Sequence, residues 1–429
     1  MLKLKGSLKI SGDKSISHRA LILAALSLGK TKISNLLESD DVLRTLNILR
    51  DLGIKIKKNG EDWVVYGNGT CGFFQPDSAL DCGNSGTTAR LMIGAVSSNP
   101  IKCTFIGDES LQKRPMSRVT DHLKTIGAEV HLTNNDYLPL MITGTQNLLP
   151  NKHIIKTASA QIKSSLILSG LNIKGKTTIV ETKSTRDHTE RLLKFLNLKF
   201  KITKYKNGET SIELNGPYEI FSKDLKVASD PSSAAFFIVA ALITPNSQIE
   251  LKNILLNPLR IEFINVLKKM GGKIIVKKTK KMCGEDIGII KVKHSNLKGI
   301  TISSSLSPMI IDEYPILAIA ATQAKGKTIM KGLGELRHKE SDRIVSIVSN
   351  LKKLNFNVIS KKDDIIIQNK NVKIKNKKII KTFNDHRIAM SFLILSIIYE
   401  NKILIDNSDC ISISYPKFHD HLDKLLKKY

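Results

Sequence analysis

The chain has 429 residues, 41% of them hydrophobic, which is enough for two or three domains with a sizeable buried core. Its 67 Lys and Arg against 39 Asp and Glu give a formal charge of +28, while aromatic residues make up only 5%. The lysine-rich stretches at 277–281 and 373–381 carry no interleaved aromatics, so stacking platforms for single-stranded nucleic acid are not expected and the excess reads as solvated surface.

Residues 1–10 alternate apolar and polar like a strand and contain neither an uninterrupted apolar run nor an Arg- and Ser-rich leader pattern. The apolar runs at 20–28 and 389–399 fall short of the roughly 20 residues that span a bilayer. The expectation is a cytoplasmic chain, monomeric, with no membrane or nucleic-acid partner. Five scattered cysteines (Cys71, Cys82, Cys103, Cys283, Cys410) show no zinc spacing and are expected to be inert.

From residue 13 onward one pattern recurs six times: a small or charged turn, then an apolar stretch of helical length. The copies open at Asp13-Lys-Ser-Ile-Ser-His-Arg-Ala20, Gly83-Asn-Ser-Gly-Thr-Thr-Ala-Arg90, Ala158-Ser-Ala-Gln-Ile-Lys163, Ser229-Asp-Pro-Ser-Ser-Ala234, Ile311-Asp-Glu-Tyr-Pro315 and Asn384-Asp-His-Arg-Ile-Ala-Met390. Markers at Lys14, Asn84, Ser159, Asp230, Asp312 and Asp385 are spaced by 70, 75, 71, 82 and 73 residues. Most copies continue into a β-rich segment such as Thr31-Lys-Ile33, and a second, amphipathic helix follows. The second helices are predicted to begin near Ser39-Asp-Asp, Arg114-Pro, Thr185-Arg-Asp-His, Asn257-Pro, His338-Lys-Glu-Ser-Asp and Ser414-Tyr-Pro. The order of strand, helix, strand, helix and further strands defines an α/β unit.

Six units suggest two domains of three, with equivalent helix starts side by side. A helix start offers unpaired N–H groups and a partial positive charge, so it attracts anions. Lys14, Ser15, Arg19, Arg90, Arg114, Arg118, Ser159, Arg186, Lys339, Arg343 and Arg387 fall at or near such starts. Together they predict an enzyme site for small polyanions. Gly170-Leu-Asn-Ile-Lys-Gly-Lys-Thr177 fits a P-loop pattern, but it follows a helical stretch and leads into a strand, the reverse of a P-loop's context, and is read as a turn.

The segments Gly12-Asp-Lys-Ser-Ile-Ser-His-Arg19, Gly83-Asn-Ser-Gly-Thr87, Lys113-Arg-Pro115, Ser159-Ala-Gln161, Asp312-Glu-Tyr-Pro315, Lys339-Glu-Ser-Asp-Arg343 and Asp385-His-Arg387 resemble, in order and approximate spacing, the 3-phosphoshikimate 1-carboxyvinyltransferases, or EPSP synthases. The resemblance implies an α/β enolpyruvyl transferase-like fold of two domains, each of three βαβαββ repeats. One domain would comprise residues 1–12 and 229–429, the other 13–228, with the active site in the cleft between them.

The implied reaction transfers the enolpyruvyl group of phosphoenolpyruvate (PEP) to the 5-hydroxyl of shikimate 3-phosphate, with no metal or other cofactor. By the same resemblance Lys14, Gly86 (backbone), Arg114 and Gln161 would hold the PEP phosphate, and Arg343 and Arg387 its carboxylate. Lys14, Ser15, Arg19, Ser159, Ala160 (backbone), Gln161, Arg186, Asp312 and Lys339 would hold shikimate 3-phosphate. Asp312 would be the base and Glu340 the proton shuttle, with Lys14 and His386 assisting. On residue type alone, Asp312 could instead be a helix cap and Lys339 with Glu340 a solvated pair.

Ser159-Ala-Gln-Ile-Lys163 and Arg186-Asp-His-Thr-Glu190 resemble the class II group, which includes members tolerant of the PEP mimic glyphosate. Gly86 stands where some tolerant members carry an alanine. Many members also place a lysine where Ile413 precedes Ser414-Tyr-Pro416, which leaves Arg343 and Arg387 for the carboxylate. Two alternatives remain open. A UDP-N-acetylglucosamine 1-carboxyvinyltransferase shares the repeats but usually carries a reactive cysteine in its loop before Arg-Pro, absent from residues 107–112. A non-enzymatic nucleic-acid binder would exploit the +28.

Overall fold

A computed structural model describes residues 2–428. The chain divides into two compact units: an N-unit of residues 12–227 with 282–284, and a C-unit of residues 2–11, 228–281 and 285–428. The helices of the N-unit are α1 (Lys14–Ala25), α2 (Asp40–Asp51), α3 (Gly86–Ser97), α4 (Ser117–Lys124), α5 (Ala160–Gly170) and α6 (His188–Phe195). Those of the C-unit are α7 (Pro231–Ile243), α8 (Glu262–Lys269), the one-turn α9 (Ser307–Ile310), α10 (Tyr314–Thr322), α11 (Arg343–Lys353), α12 (His386–Ile398) and α13 (Phe418–Leu425).

Helices that are apolar on every face have to lie inside. In the C-unit α7, α10 and α12 pack on one another, and twelve residues of α7, from Pro231 to Ile243, are buried. In the N-unit α1 packs on α3 and α3 on α5, likewise with nearly continuous burial. Each fully buried Leu, Ile or Phe contributes about 1.5–3 kcal/mol. A charge introduced into α7 at Ala240 would therefore break the C-unit core. The second helix of each repeat is amphipathic and keeps a polar face, as in α2 and α11.

The sheets explain the repeat. Leu80–Asp81 runs parallel to Lys102–Ile106, joined through α3, and Lys102–Ile106 runs antiparallel to Tyr137–Thr143, whose other edge takes Glu129–Thr133. A parallel pair needs a crossover and an antiparallel pair only a hairpin, so each unit reads βαβαββ. The same spatial order recurs around Lys152–Ile155 and around Thr301–Ile302.

Two sheets exchange their first strand. Leu2–Lys9 lies parallel to Gln248–Leu255, in the sheet of α7, while Leu225–Lys226 lies parallel to Leu28–Ser34, in the sheet of α1. Gly12 sits at one crossing, where a Cβ would lie 2.1 Å from the carbonyl oxygen of Asn35. The sixth copy is abbreviated. Its paired strands are Lys378–Ile380 and Ile403–Ile405, and in place of a final hairpin Leu426–Lys428 runs antiparallel to Leu2–Lys9.

Several second helices begin later than their sequence signals. Arg114, before Pro115, is held extended at φ −101° and ψ 130°, so α4 starts only at Ser117. Likewise α6 starts at His188, α8 at Glu262 and α13 at Phe418. The P-loop-like segment is a helix-to-strand turn: Gly170 ends α5 and Gly175, at φ +109°, opens Gly175–Glu181. All five cysteines are free thiols, and burial pushes those of Cys103 and Cys410 up to about 12, which leaves them protonated and unreactive. No helix among the described residues is long and apolar enough to cross a membrane.

Candidate active site

The N-unit gathers the starts of α1, α3 and α5. Each is capped by its own side chain: Asp13 accepts from the N–H of Ile16, Ser85 from Thr88, and Ser159 from Ile162. A serine hydroxyl that accepts this bond keeps its proton for another partner, so Ser159 caps α5 and can still donate to a ligand.

Side chains tie the starts together. Gln161 accepts from Arg90 Nη1 at 3.0 Å and donates to Thr87 Oγ1 at 3.0 Å, joining α5 to α3. Arg19, almost wholly buried, donates to Thr189 Oγ1 and Ser164 Oγ at 2.7 Å each and to the Ser15 carbonyl at 2.9 Å, joining α1 to α6 and α5. Arg186 is half-buried just before α6.

Gly86 is the first residue of α3, with two guanidinium groups on either side. A Cβ there would lie 2.8 Å from Arg90 Nη1 and 3.5 Å from Arg114 Nη1. Arg114 is held by neutral oxygens, donating through Nη2 to Asn84 Oδ1 at 2.8 Å and Ser110 Oγ at 2.9 Å. Neutral acceptors fix its direction without cancelling its charge. Lys14, at the start of α1, pairs with Asp41 Oδ2 at 2.8 Å. A helix start flanked by two arginines, with a glycine that lets a ligand reach the backbone, is suited to a phosphate.

The C-unit set is organised around Arg343, which is fully buried at the start of α11. Its Nε donates to Asp385 Oδ2 at 2.8 Å and its Nη2 to Glu340 Oε2 at 2.6 Å and Asp385 Oδ1 at 3.2 Å. Its Nη1 lies 3.7 Å from Asp312 Oδ1 and has no hydrogen-bond partner among the described residues. Burial works against the Arg343 charge, but the carboxylates of Asp385 and Glu340 outweigh it and hold its pKa above the ordinary arginine value. Burial would likewise raise the Asp385 carboxyl, yet Arg343 overrides it and the net shift is downward.

Asp312 does not cap its helix: the residue before α10 is Glu313. The Asp312 carboxylate instead faces Lys339 Nζ at 3.5 Å, while its carbonyl accepts from Arg387 Nη1 at 2.9 Å. Lys339 faces Asp312, and Glu340 binds Arg343. His386 is buried as the first residue of α12. Two carboxylates held by cations, with one guanidinium nitrogen left to donate, can move protons beside a bound carboxylate.

A family model described as EPSP synthase (3-phosphoshikimate 1-carboxyvinyltransferase) matches residues 1–422. The chain belongs to the EPSP synthase family. It is 43% identical over 425 residues to the 3-phosphoshikimate 1-carboxyvinyltransferase of Petrotoga mobilis, covering 98% of this chain and 97% of that one. The namesake protein of Bacillus cytotoxicus is 43% identical over 423 residues, with 98% of each chain covered. Among solved structures, EPSP synthase from Acinetobacter baumannii superposes with a TM-score of 0.85 at 35% identity, covering 100% of this chain and 98% of that one. The enolpyruvyl transferase NikO from Streptomyces tendae shares the fold, at TM-score 0.77 and 15% identity over 99% of this chain and 96% of that one.

Within this family frame the candidate residues fall into two sets. Lys14, Ser15, Arg19, Gly86, Arg114, Ser159, Ala160, Gln161 and Arg186 belong to the N-unit, and Asp312, Lys339, Glu340, Arg343, His386 and Arg387 to the C-unit. Four residues gain a part that sequence reasoning did not give them. Arg90 holds Gln161, Asn84 holds Arg114, Asp41 holds Lys14, and Asp385 anchors Arg343. Asp385, Arg90 and Asn84 had a signal, since each lies inside a repeated helix-start motif. The partners Asp41 and Lys14 are 27 residues apart with no pattern linking them.

Proposed function

We propose that the chain transfers the enolpyruvyl group of PEP to the 5-hydroxyl of shikimate 3-phosphate, releasing phosphate. The observation that carries this reading is the C-unit cluster in which Lys339 and Arg343 hold Asp312 beside Glu340. The chemistry asks for such a pair. The PEP methylene has to gain a proton before its C2 becomes electrophilic, and the attacking hydroxyl has to lose one.

In this reading Asp312 takes the hydroxyl proton while Glu340 delivers a proton to the methylene carbon. The resulting tetrahedral adduct collapses when Glu340 removes a methyl proton and the phosphate leaves with the C–O bonding pair, taking up the proton held on Asp312, so that both carboxylates return to their starting state. Lys14, Gly86, Arg114 and Gln161 hold the PEP phosphate, supported by the two guanidinium groups around the start of α3. Arg387 and Arg343 Nη1, which makes no hydrogen bond among the described residues, take the PEP carboxylate. Ser15, Arg19, Ser159, Ala160, Gln161, Arg186 and Lys339 hold shikimate 3-phosphate, and Lys14 and His386 assist proton movement.

The reading requires residues of both units to reach one substrate pair, with the domains at 1–12 with 229–429 and at 13–228. Solution scattering is then expected to report compaction when both ligands are added. The protein acts as a cytoplasmic monomer, and its lysine excess is solvated surface that engages neither nucleic acid nor membrane. The sugar-nucleotide alternative draws no support from the family match. The deciding assay follows phosphate released from PEP. Release is expected with shikimate 3-phosphate and not with UDP-N-acetylglucosamine, and the opposite pattern would overturn the assignment.

A further inference from the structure

Behind the start of α5 lies a charged cluster that the reaction does not use. Lys163, on the second turn of α5, is 1% exposed, and its Nζ lies 2.9 Å from Glu181 Oε2 and 2.8 Å from Glu190 Oε1. It also donates to the carbonyl of Thr185 at 3.4 Å. An ammonium has three N–H groups, and these three acceptors use all of them, so the lysine head is fixed in direction as well as place.

The acceptors span one segment. Glu181 ends the strand Gly175–Glu181, Thr185 immediately precedes Arg186, and Glu190 is in the first turn of α6. Thr185 Oγ1 closes the loop by donating to Glu181 Oε1. The segment carrying Arg186 is thus pinned at two points before that residue and one after it, from the helix whose start carries Ser159, Ala160 and Gln161.

Stability alone does not account for this arrangement. A buried ion cluster loses in desolvation much of what it gains in attraction, and apolar residues of similar volume often serve as well. One ammonium also cannot neutralise two carboxylates, and Glu190 Oε2 has no hydrogen-bond partner among the described residues. Burial, acting first, pushes the Glu181 carboxyl up despite the neighbouring Lys163. What charged groups supply here, and apolar ones could not, is a directional tie between two elements.

We propose that Lys163, tied to Glu181 and Glu190, is a positioning residue that fixes Arg186 relative to the start of α5 and thereby sets the affinity for shikimate 3-phosphate. It rests on the reading of Arg186 and Ser159–Gln161 as ligands of that substrate.

The test compares three variants of the full chain by steady-state kinetics and thermal melting. Lys163→Met removes the tie. Because it strands two buried carboxylates, a neutral companion, Lys163→Met with Glu181→Gln and Glu190→Gln, keeps the experiment decisive if the single variant does not fold. Arg186→Ala is the control for the underlying reading. The expected result is a rise of about tenfold or more in KM for shikimate 3-phosphate in the tie variants, with kcat and KM for PEP within about twofold of the parent. An unchanged KM in a folded tie variant, alongside a raised KM in Arg186→Ala, overturns the proposal and leaves the reading intact. A parallel loss in both substrates that tracks melting temperature also overturns it, because the cluster is then only structural. An unchanged KM in Arg186→Ala refutes the reading of Arg186 itself, and the proposal with it.

Discussion

Gly86→Ala isolates the phosphate-holding geometry from the fold. The backbone at Gly86 has no left-handed strain, and alanine is a better helix residue than glycine by about 1 kcal/mol in a helix interior, so the variant should melt no lower than the parent. The new methyl, however, would sit 2.8 Å from Arg90 Nη1. That nitrogen is the far end of a flexible side chain, so it can retreat, but it retreats from the Gln161 Oε1 that it binds at 3.0 Å. Arg90 Nη2, on the Pro115 carbonyl at 3.0 Å, is pulled with it.

Losing one hydrogen bond to a charged group costs about 1.5–3 kcal/mol, which corresponds to about 10- to 150-fold in affinity. The methyl also stands where a phosphate oxygen would approach the start of α3. Steady-state kinetics should therefore show KM for PEP raised by about one to two orders of magnitude, with a smaller rise in KM for shikimate 3-phosphate, which Gln161 also holds on this reading. Glyphosate, as a PEP mimic, should lose inhibitory potency in the same variant. A KM for PEP within about twofold of the parent, in an enzyme of unchanged melting temperature, would refute the placement of the phosphate at α3.

Asp312→Ala should keep the fold, since Arg343 retains Asp385 and Glu340, yet lower kcat by about 10²- to 10⁴-fold, checked by phosphate release and circular dichroism. Asp385→Asn keeps the capping shape at α12 but removes the fully buried carboxylate that Arg343 Nε binds at 2.8 Å. Denaturant unfolding should record a loss of about 3–5 kcal/mol, and a loss below about 1 kcal/mol would contradict the pairing. His153, buried edge-on to His122 at 5.4 Å between ring centroids, has its pKa lowered by burial and then by His122, from 6.5 to about 4. The unfolded chain binds that proton from 6.5 downward and the folded chain only near 4, so stability should fall as pH drops through that window, by up to about 3 kcal/mol. His153→Phe should flatten that part of the pH–stability curve, measured by melting at pH 7 and pH 4.5.

The helix starts were legible in the sequence because they depend on local chemistry. Asp13, Ser85, Ser159, Asp230 and Asp385 each accept a hydrogen bond from their own first turn, and the apolar run that follows has to be buried. The later starts of α4 and α13 carry no such mark: Arg114 is extended before Pro115, which therefore does not open α4, and a 3-10 turn at Asp409–Ile413 precedes Pro416, with α13 beginning only at Phe418. The strand exchange between Leu2–Lys9 and Leu225–Lys226 has no local signal, being settled by pairings such as Lys5 with Gln248 and Ile33 with Leu225, far apart in the chain. Side-chain partnerships such as Lys14 with Asp41, or Lys163 with Glu181 and Glu190, depend on where separate elements meet. They were therefore invisible even though every residue concerned could be read.

The distribution of charge argues for a division of labour between the two sets. Arg114 is steered by neutral oxygens and keeps its full attraction for an anion, whereas Arg343 is crowded by Asp312, Glu340 and Asp385. A phosphate brought to Arg343 would meet those carboxylates at repulsions of about 4 kcal/mol for each pair of unit charges 4 Å apart at an effective dielectric of 20. On the proposed reading a dianion would therefore go to the start of α3, and the neighbourhood of Arg343 would take the singly charged carboxylate through Nη1. The same crowding that repels phosphate keeps Asp312 and Glu340 beside cations, where their protons can be exchanged with a substrate. Phosphate grip and proton transfer therefore make opposite demands on local charge, and a chain that separates them over two sets of helix starts can satisfy both.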